Sequence, residues 1–354
     1  MTAVSVLAAG CVFPSGPGIG LADAALRVGL SLPRQHPFYV DRCGSPVSLS
    51  CFDAPDIPYD ASRWRALAEA SLADLRGQLP DGQTGFPAQA QYKVWLVLPA
   101  PGRPGTPQEL ARAVEFVLAD WSGTLRGVEI ITGSHAAGVQ ALAAAAAACT
   151  AEPGLNALVL AVDSQGGPLC LSWLEAAGLL HKARRSYRGE VRPNPYGRVP
   201  GEGSAAILLS TGHGAGAWCR LVGAATAEEP RTYDQPEPCV GLGLSAAARA
   251  ALDKAGGRGP LASLTHDLNG EPYRADEYGF TALRLAKRLG AVYQRRIPTL
   301  ASGDLGAASA VAHTALVAWS CHQRPDGAAH LILASSDDPL RGAVVLQARE
   351  SESS

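Results

Sequence analysis

Residues 128–149 read VEIITGSHAAGVQALAAAAAAC. Val128, Ile130 and Ile131 are apolar and β-branched, which predicts a buried strand. Gly133 and Ser134 permit a sharp turn, and the Ala-rich run 141–148 has the highest intrinsic preference for helix. The stretch is thus read as a buried strand, a tight elbow and a buried helix, with His135 opening that helix. A side chain there meets the positive end of the helix dipole and backbone N–H groups that lack a carbonyl partner. A thiol would be activated and an oxyanion stabilised. An imidazole gains little, because the same field disfavours its cationic form. The elbow has the shape of a nucleophile site without the nucleophile.

Outward from the elbow, apolar β-rich runs alternate with Ala-rich helical ones, which predicts a layered α/β protein with mostly buried sheets. A first half, residues 1–210, holds strands at 94–100 and 155–164 and a helix at 107–121. A second half, residues 217–350, repeats the scheme with a strand from Cys219, helices at 244–254, 277–289 and 307–319, and a strand before His266. Residues 31–85 read as loops plus a helix at 62–79, GHGAG (212–216) as a linker, and the final RESESS as a disordered tail.

The chain has 354 residues, 47% of them hydrophobic and 18% charged, with a formal net charge of −2, enough apolar content for a large core. Near-neutral charge without a basic run argues against a nucleic-acid partner, and no stretch is apolar and long enough to span a bilayer. The eight cysteines are scattered without a C-x-x-C pair, which fits buried thiols in a reducing, cytoplasmic compartment. No cofactor motif and no metal set stands out. One basic patch does: His181, Lys182, Arg184, Arg185 and Arg188 form either a solvated loop or a dock for an acidic partner such as an acyl carrier protein.

Four segments together resemble the β-ketoacyl synthases of the thiolase fold. VSVLAAGCVFPSGPGIG (4–20) is similar to their first strand and Gly-rich loop, and GRVPGEGSAAILL (197–209) to their G-x-V-P-G-E-G-A signature and the strand after it. LCLSWLEAAGLL (169–180) resembles the helix before that signature, and Gly138, three residues past the active position, sets the register of the elbow. The resemblance implies a thiolase-like fold: two pseudo-duplicated βαβαβ halves in αβαβα layers. It also implies a dimer, formed by pairing the strand LNALVLAVD (155–163) across a two-fold axis.

Carried over residue by residue, the same resemblance implies a degenerate active site. His135 stands where the family has its cysteine. His266 matches the first family histidine, although Asp267, Leu268, Asn269 and Gly270 replace the Gly-Thr-Gly-Thr that follows, and Glu277 falls in register. In SGDLGAA, Gly303 takes the place of the second histidine, and Pro298 takes the place of the lysine. Losing one member of an interdependent catalytic set costs roughly 10³ to 10⁶ in rate.

The implied function is an accessory that binds protein. It is either a chain-length-factor-like partner of an active ketosynthase, as a homo- or heterodimer, or an adaptor for a type VI secretion effector, to which DLNGEPYRADEYGF (267–280) points. The alternative is an active acyltransferase, synthase or malonyl-thioester decarboxylase, with Ser134 as a displaced nucleophile and His266 as its base; Ser134 is equally read as a turn former. In the fold, positions 135, 266 and 304 converge, so His135, His266 and Asp304 form either a metal-binding trio or a pocket in which His135 bonds His266 or packs neutral.

Overall fold

The computed structural model describes residues 4–79, 90–120, 124–187, 190–211, 216–233, 235, 237–256 and 260–350. Five strands of the first half lie in the order Thr124–Gly133, Gln91–Pro99, Leu155–Ser164, Glu202–Ser210, Val4–Phe13. The second half repeats that order with Leu289–Arg296, Leu261–Thr265, Ala329–Ser335, Leu340–Ala348, Cys219–Glu228. Numbered along the chain, each sheet runs 3-2-4-5-1. Strands 3, 2 and 4 are parallel and the two joints to 5 and 1 antiparallel in both halves. The sheets meet where Val4, Ser5 and Val6 pair antiparallel with Leu221, Arg220 and Cys219.

Between the sheets lie two helices, Ala137–Ala151 and Ser309–Gln323, each following strand 3 of its half and each touching strands of both sheets. Both are apolar on nearly every side, the pattern of a helix with no solvent face. Small side chains let them approach: a Cβ on Gly138 would lie 2.8 Å from Val311 Cγ2. On the outer faces, helices Ala61–Gly77 and Leu242–Lys254 cover the first and second sheets. They rest on equivalent glycines of strand 1, since a Cβ would reach 2.2 Å from Leu75 N at Gly10 and 2.1 Å from Ala251 O at Gly223. These layers and their internal repeat are the α/β thiolase-like architecture expected from the sequence.

Several local expectations change. The strand into the elbow is not buried: it is the last strand of its sheet, and Ile130 is 42% exposed. Leu155–Ser164 cannot pair across a two-fold axis, because Glu202–Ser210 and Gln91–Pro99 already occupy its two edges. The helix expected at 277–289 is Pro272–Arg284, started by Pro272 in its first turn, and Leu289 begins a strand. The helix expected at 107–121 is a single α-helical stretch, Leu110–Glu115, followed by the 3₁₀ turns Phe116–Asp120, and Trp121 lies outside the described residues. Residues 34–49 form a hairpin, Arg34–Val40 with Pro46–Leu49, where loops were expected. Most of the 212–216 linker, Arg188 of the basic patch and the last four residues also lie outside the described residues.

The run GRVPGEGS, residues 197–204, acts as a structural lock. Glu202 is fully buried and takes Arg63 of the first outer helix at 2.6 Å, and Ser164 Oγ donates to its other oxygen at 2.6 Å. Arg63 also donates to the carbonyls of Phe52, Ala54 and Ile57, so this pair fastens the loop before the helix to the centre of the sheet.

Candidate functional site

The elbow turns within Gly133–Ala136, and the helix starts at Ala137 with Ala136 as its cap, so His135 sits in the turn before the helix instead of opening it. Its ring is 1% exposed and both nitrogens are engaged. Nε2 donates to Asp304 at 2.8 Å and 3.0 Å from the two carboxylate oxygens. At Nδ1, Ser134 Oγ lies at 2.7 Å and Arg274 Nη2 at 3.4 Å. A guanidinium only donates, so Nδ1 is the acceptor and Nε2 carries the proton.

Asp304 is the centre of the site. It is 1% exposed and also accepts from Asn269 Nδ2 at 2.6 Å, Gln165 Nε2 at 3.0 Å and the Gly306 amide at 2.8 Å. Burial works to raise its pKa, and His135 together with the Arg198 and Arg274 guanidiniums outweighs burial and holds the carboxyl well below the usual carboxylate range. Beside it, two buried arginines and two carboxylates close a ring. Arg198 meets Glu271 and Asp337, each at 2.7 Å, and Arg274 meets the same two at 2.7 and 2.8 Å. Arg274 also reaches Asp267 at 3.3 Å and the Ser335 carbonyl. The ring ties the signature loop of the first half to the loop at 267–271, the helix Pro272–Arg284 and the loop at 336–339 of the second.

Positions expected to be catalytic fall in three groups. Ser134, His135 and Asp304 are brought together in a hydrogen-bonded chain. His266 is not part of it: its ring lies against Tyr278 at a 42° tilt with centroids 4.0 Å apart, Nδ1 accepts only the Leu268 amide, and Nε2 has no hydrogen-bond partner among the described residues. Asn269 of the same loop reaches Asp304 in its place, so His266 neither bonds His135 nor completes a metal-binding trio. Burial, with the nearby Arg295 and His313, pushes the His266 pKa down to about 3.

Gly303 and Pro298 form the third group. Pro298 caps the short helix Thr299–Ser302, and Gly303 ends it with φ 68° and ψ −172°, a conformation reserved for glycine. A Cβ there would lie 2.8 Å from Ser50 Cβ and 3.0 Å from the Val199 carbonyl. The backbone therefore has no room for a histidine at this point.

Arg198, Arg274, Glu271, Asp337, Asn269 and Gln165 were not legible as site residues. Charged residues in a sequence read as surface, and the clue was the concentration of polar residues in DLNGEPYRADE, which holds Asn269, Glu271 and Arg274, and in SSDD, which holds Asp337; Arg198 and Gln165 lie in neither. Of the basic patch, His181 lines the larger of two cavities at the site, the one that Asp304 also lines, and Arg184 lies in the hairpin Arg184–Tyr187 with Glu190–Pro193.

That larger cavity, about 620 Å³, is bounded by Asn269, Leu300, Gly303 and Asp304. A second cavity, of about 270 Å³, is lined by Arg103, Ser134, His135, Trp173, Arg198 and Asp337. Three backbone donors around the elbow are spent: Gly306 on Asp304, Ala307 on Asp163, and Ala136 on Ser336 Oγ. An oxyanion forming at Ser134 would find none of these three amides free. No helix among the described residues is long and apolar enough to cross a membrane.

No protein-family model matches the chain, and no curated protein sequence matches it. Solved structures do. The ishigamide ketosynthase/chain length factor superposes with a TM-score of 0.70 at 19% identity, covering 98% of this chain and 99% of that one. A type II polyketide-synthase ketosynthase, solved with its acyl-carrier protein and bound to the hexaketide, gives 0.78 at 15% identity over 98% and 99%. The ketosynthase from module 6 of the bacillaene synthase of Bacillus subtilis gives 0.74 at 13% identity over 98% and 72%. At these identities the likeness is one of fold: the chain has the thiolase-like fold of ketosynthases and chain length factors.

Proposed function

We propose that this protein is a non-condensing member of the thiolase fold that works by binding another protein. The observation that carries the reading is the pair His135–Asp304. The position that holds the nucleophile in the resembled enzymes is filled by a buried imidazole whose two nitrogens are both bonded, and Gly303 leaves no space for the second histidine. Neither residue can carry an acyl group or polarise a thioester as condensation requires.

The surface offered to a partner is the edge strand Thr124–Gly133, which exposes Leu125 and Ile130 beside a row of backbone donors and acceptors with no strand partner among the described residues. Pairing there with a second copy or with an active ketosynthase covers that edge, and the solved ketosynthase/chain length factor supplies the precedent for a synthase-like partner. The carrier protein seen with a similar ketosynthase makes a carrier the second candidate partner, and the basic residues around His181 the place to look for it. A type VI secretion effector is the other partner class, distinguished by experiment: co-purification with a ketosynthase supports the first, and with an effector the second.

One observation favours a second reading. Ser134, His135 and Asp304 form a hydroxyl–imidazole–carboxylate chain, with His135 in the role that the sequence assigned to His266. In that reading Ser134 accepts an acyl group from a thioester. Arg274 Nη2 lies 3.4 Å from the same Nδ1 that would have to take the Ser134 proton, which is why the binding function is preferred. Incubation with acetyl and malonyl thioesters followed by intact-mass analysis decides: an unmodified chain and intact thioesters fit a binding protein, and an adduct lost in Ser134→Ala overturns it.

A further inference from the structure

Away from the central site, three chemically capable side chains meet inside the second half. Glu229 follows strand Cys219–Glu228, Cys239 lies in the loop before helix Leu242–Lys254, and Glu277 is on helix Pro272–Arg284. One ligand atom of each lies within 4.8 Å of the others, and the residues are 1%, 6% and 0% exposed. It is the one such gathering among the described residues. Two of its oxygens have no partner there: Glu229 Oε1 and Glu277 Oε2 are buried and accept no hydrogen bond. Their sister oxygens are occupied, Glu229 Oε2 by the Gly243 amide at 2.7 Å and Glu277 Oε1 by Arg341 Nε at 2.5 Å. A lone buried carboxylate oxygen is costly, and two of them on carboxylates gathered around one thiol call for a shared cation.

We propose that Glu229, Cys239 and Glu277 bind a divalent transition metal ion, zinc being the best match. The donor set fixes the class: thiolate with carboxylate suits zinc, whereas magnesium and calcium take oxygen alone. Charge agrees. Two carboxylates and the Arg341 guanidinium sum to −1; adding a divalent ion and ionising the thiol brings the buried cluster to zero. Arg341 does not compete for the ion, since it is held by Glu277 and by the carbonyls of Ser336, Asp338 and Leu340. Its Nη2 has no hydrogen-bond partner among the described residues and remains to donate to a water in the fourth position. Without an ion, burial and the charges of Glu277 and Glu229 push the Cys239 thiol up to about 12, so binding releases a proton.

The ion would tie residue 229 to the helix that carries Arg274, and so brace the central ring from behind. The site is independent of the proposed binding function. The test uses full-length protein, stripped with a chelator and titrated with cobalt(II) as the optical probe for zinc. One equivalent of cobalt with a thiolate-to-metal charge-transfer band is expected, displaced by one equivalent of zinc. Cys239→Ser abolishes the band, and Cys43→Ser, an exposed cysteine, keeps it. Glu229→Gln weakens zinc binding by more than the roughly 100-fold that loss of an outer-shell partner costs. A stripped protein that takes up no stoichiometric cobalt, or a band that survives Cys239→Ser, overturns the proposal. Because Cys239→Ser leaves both carboxylates and Arg341 in place, circular dichroism of that variant separates lost binding from lost folding.

Discussion

The acid limb of the stability curve should be controlled by two histidines that fold without their protons. His313, in the helix between the sheets, is fully buried, and neither ring nitrogen has a hydrogen-bond partner among the described residues. Burial first, then the nearby His135, lowers its pKa to about 3, the same value to which His266 falls. In the unfolded chain each would titrate near 6.5. Between about pH 6.5 and 3 the unfolded state therefore binds two protons that the folded state refuses, and stability falls as pH falls. The slope is about 1.4 kcal/mol per pH unit for each histidine, or about 2 kcal/mol apiece by pH 5. Replacing His313 with Leu keeps the helix and an apolar side chain of similar size, and removes one of the two. Urea unfolding of both proteins at steps from about pH 7.5 to 4.5 reads the effect, because every other titrating group cancels in the difference. His313→Leu should match or exceed the parent near neutrality and gain about 2 kcal/mol on it by pH 5. Parallel pH curves would refute the reasoning, as would a loss of more than about 2 kcal/mol near neutrality, which would mark a hydrogen-bonded histidine.

Glu202→Gln should destabilise by about 3–5 kcal/mol in urea, since it leaves the Arg63 guanidinium buried without its charge partner, and Arg63→Met in the same chain should recover part of the loss. The double variant His135→Cys, Gly303→His should release no carbon dioxide from malonyl thioesters above the blank rate, because a side chain at Gly303 meets Ser50 and the Val199 carbonyl; turnover would show that the loop yields. Ile130→Lys should convert the assembly to monomers by light scattering, and a parent chain that is itself monomeric would remove the edge strand as the docking surface.

The elbow, the two central helices and the succession of strands along the chain were legible because each rests on local signals: β-branched runs, an Ala-rich run and a glycine at the turn. What local signals do not contain is sheet order. Thr124–Gly133 and Leu155–Ser164 both read as strands, yet one is an edge and the other is paired on both sides, and partners far along the chain decide which. Pro272 was a signal overlooked, since proline at a first helical turn marks a start. The duplication left no matching residues to detect, apart from Gly10 and Gly223, which serve the same helix-on-strand contact.

Buried ion pairs add little net stability, and their rupture is expensive because one charge is stranded. In the ring of Arg198, Glu271, Arg274 and Asp337, each arginine serves two carboxylates, so removing any member strands a neighbour. Asp304 and Asp267 add two more acids to the two arginines, giving four carboxyls against two guanidiniums. Burial raises the pKa of Asp267, which makes it the carboxyl best suited to hold a proton. Restoring a thiol at position 135 alone would place it against the buried Asp304 carboxylate and beneath Arg274, with burial and the adjacent negative charge opposing the thiolate it needs. On the proposed non-condensing reading, the block at the elbow would be a property of the whole charged cluster, and no single reversion would undo it.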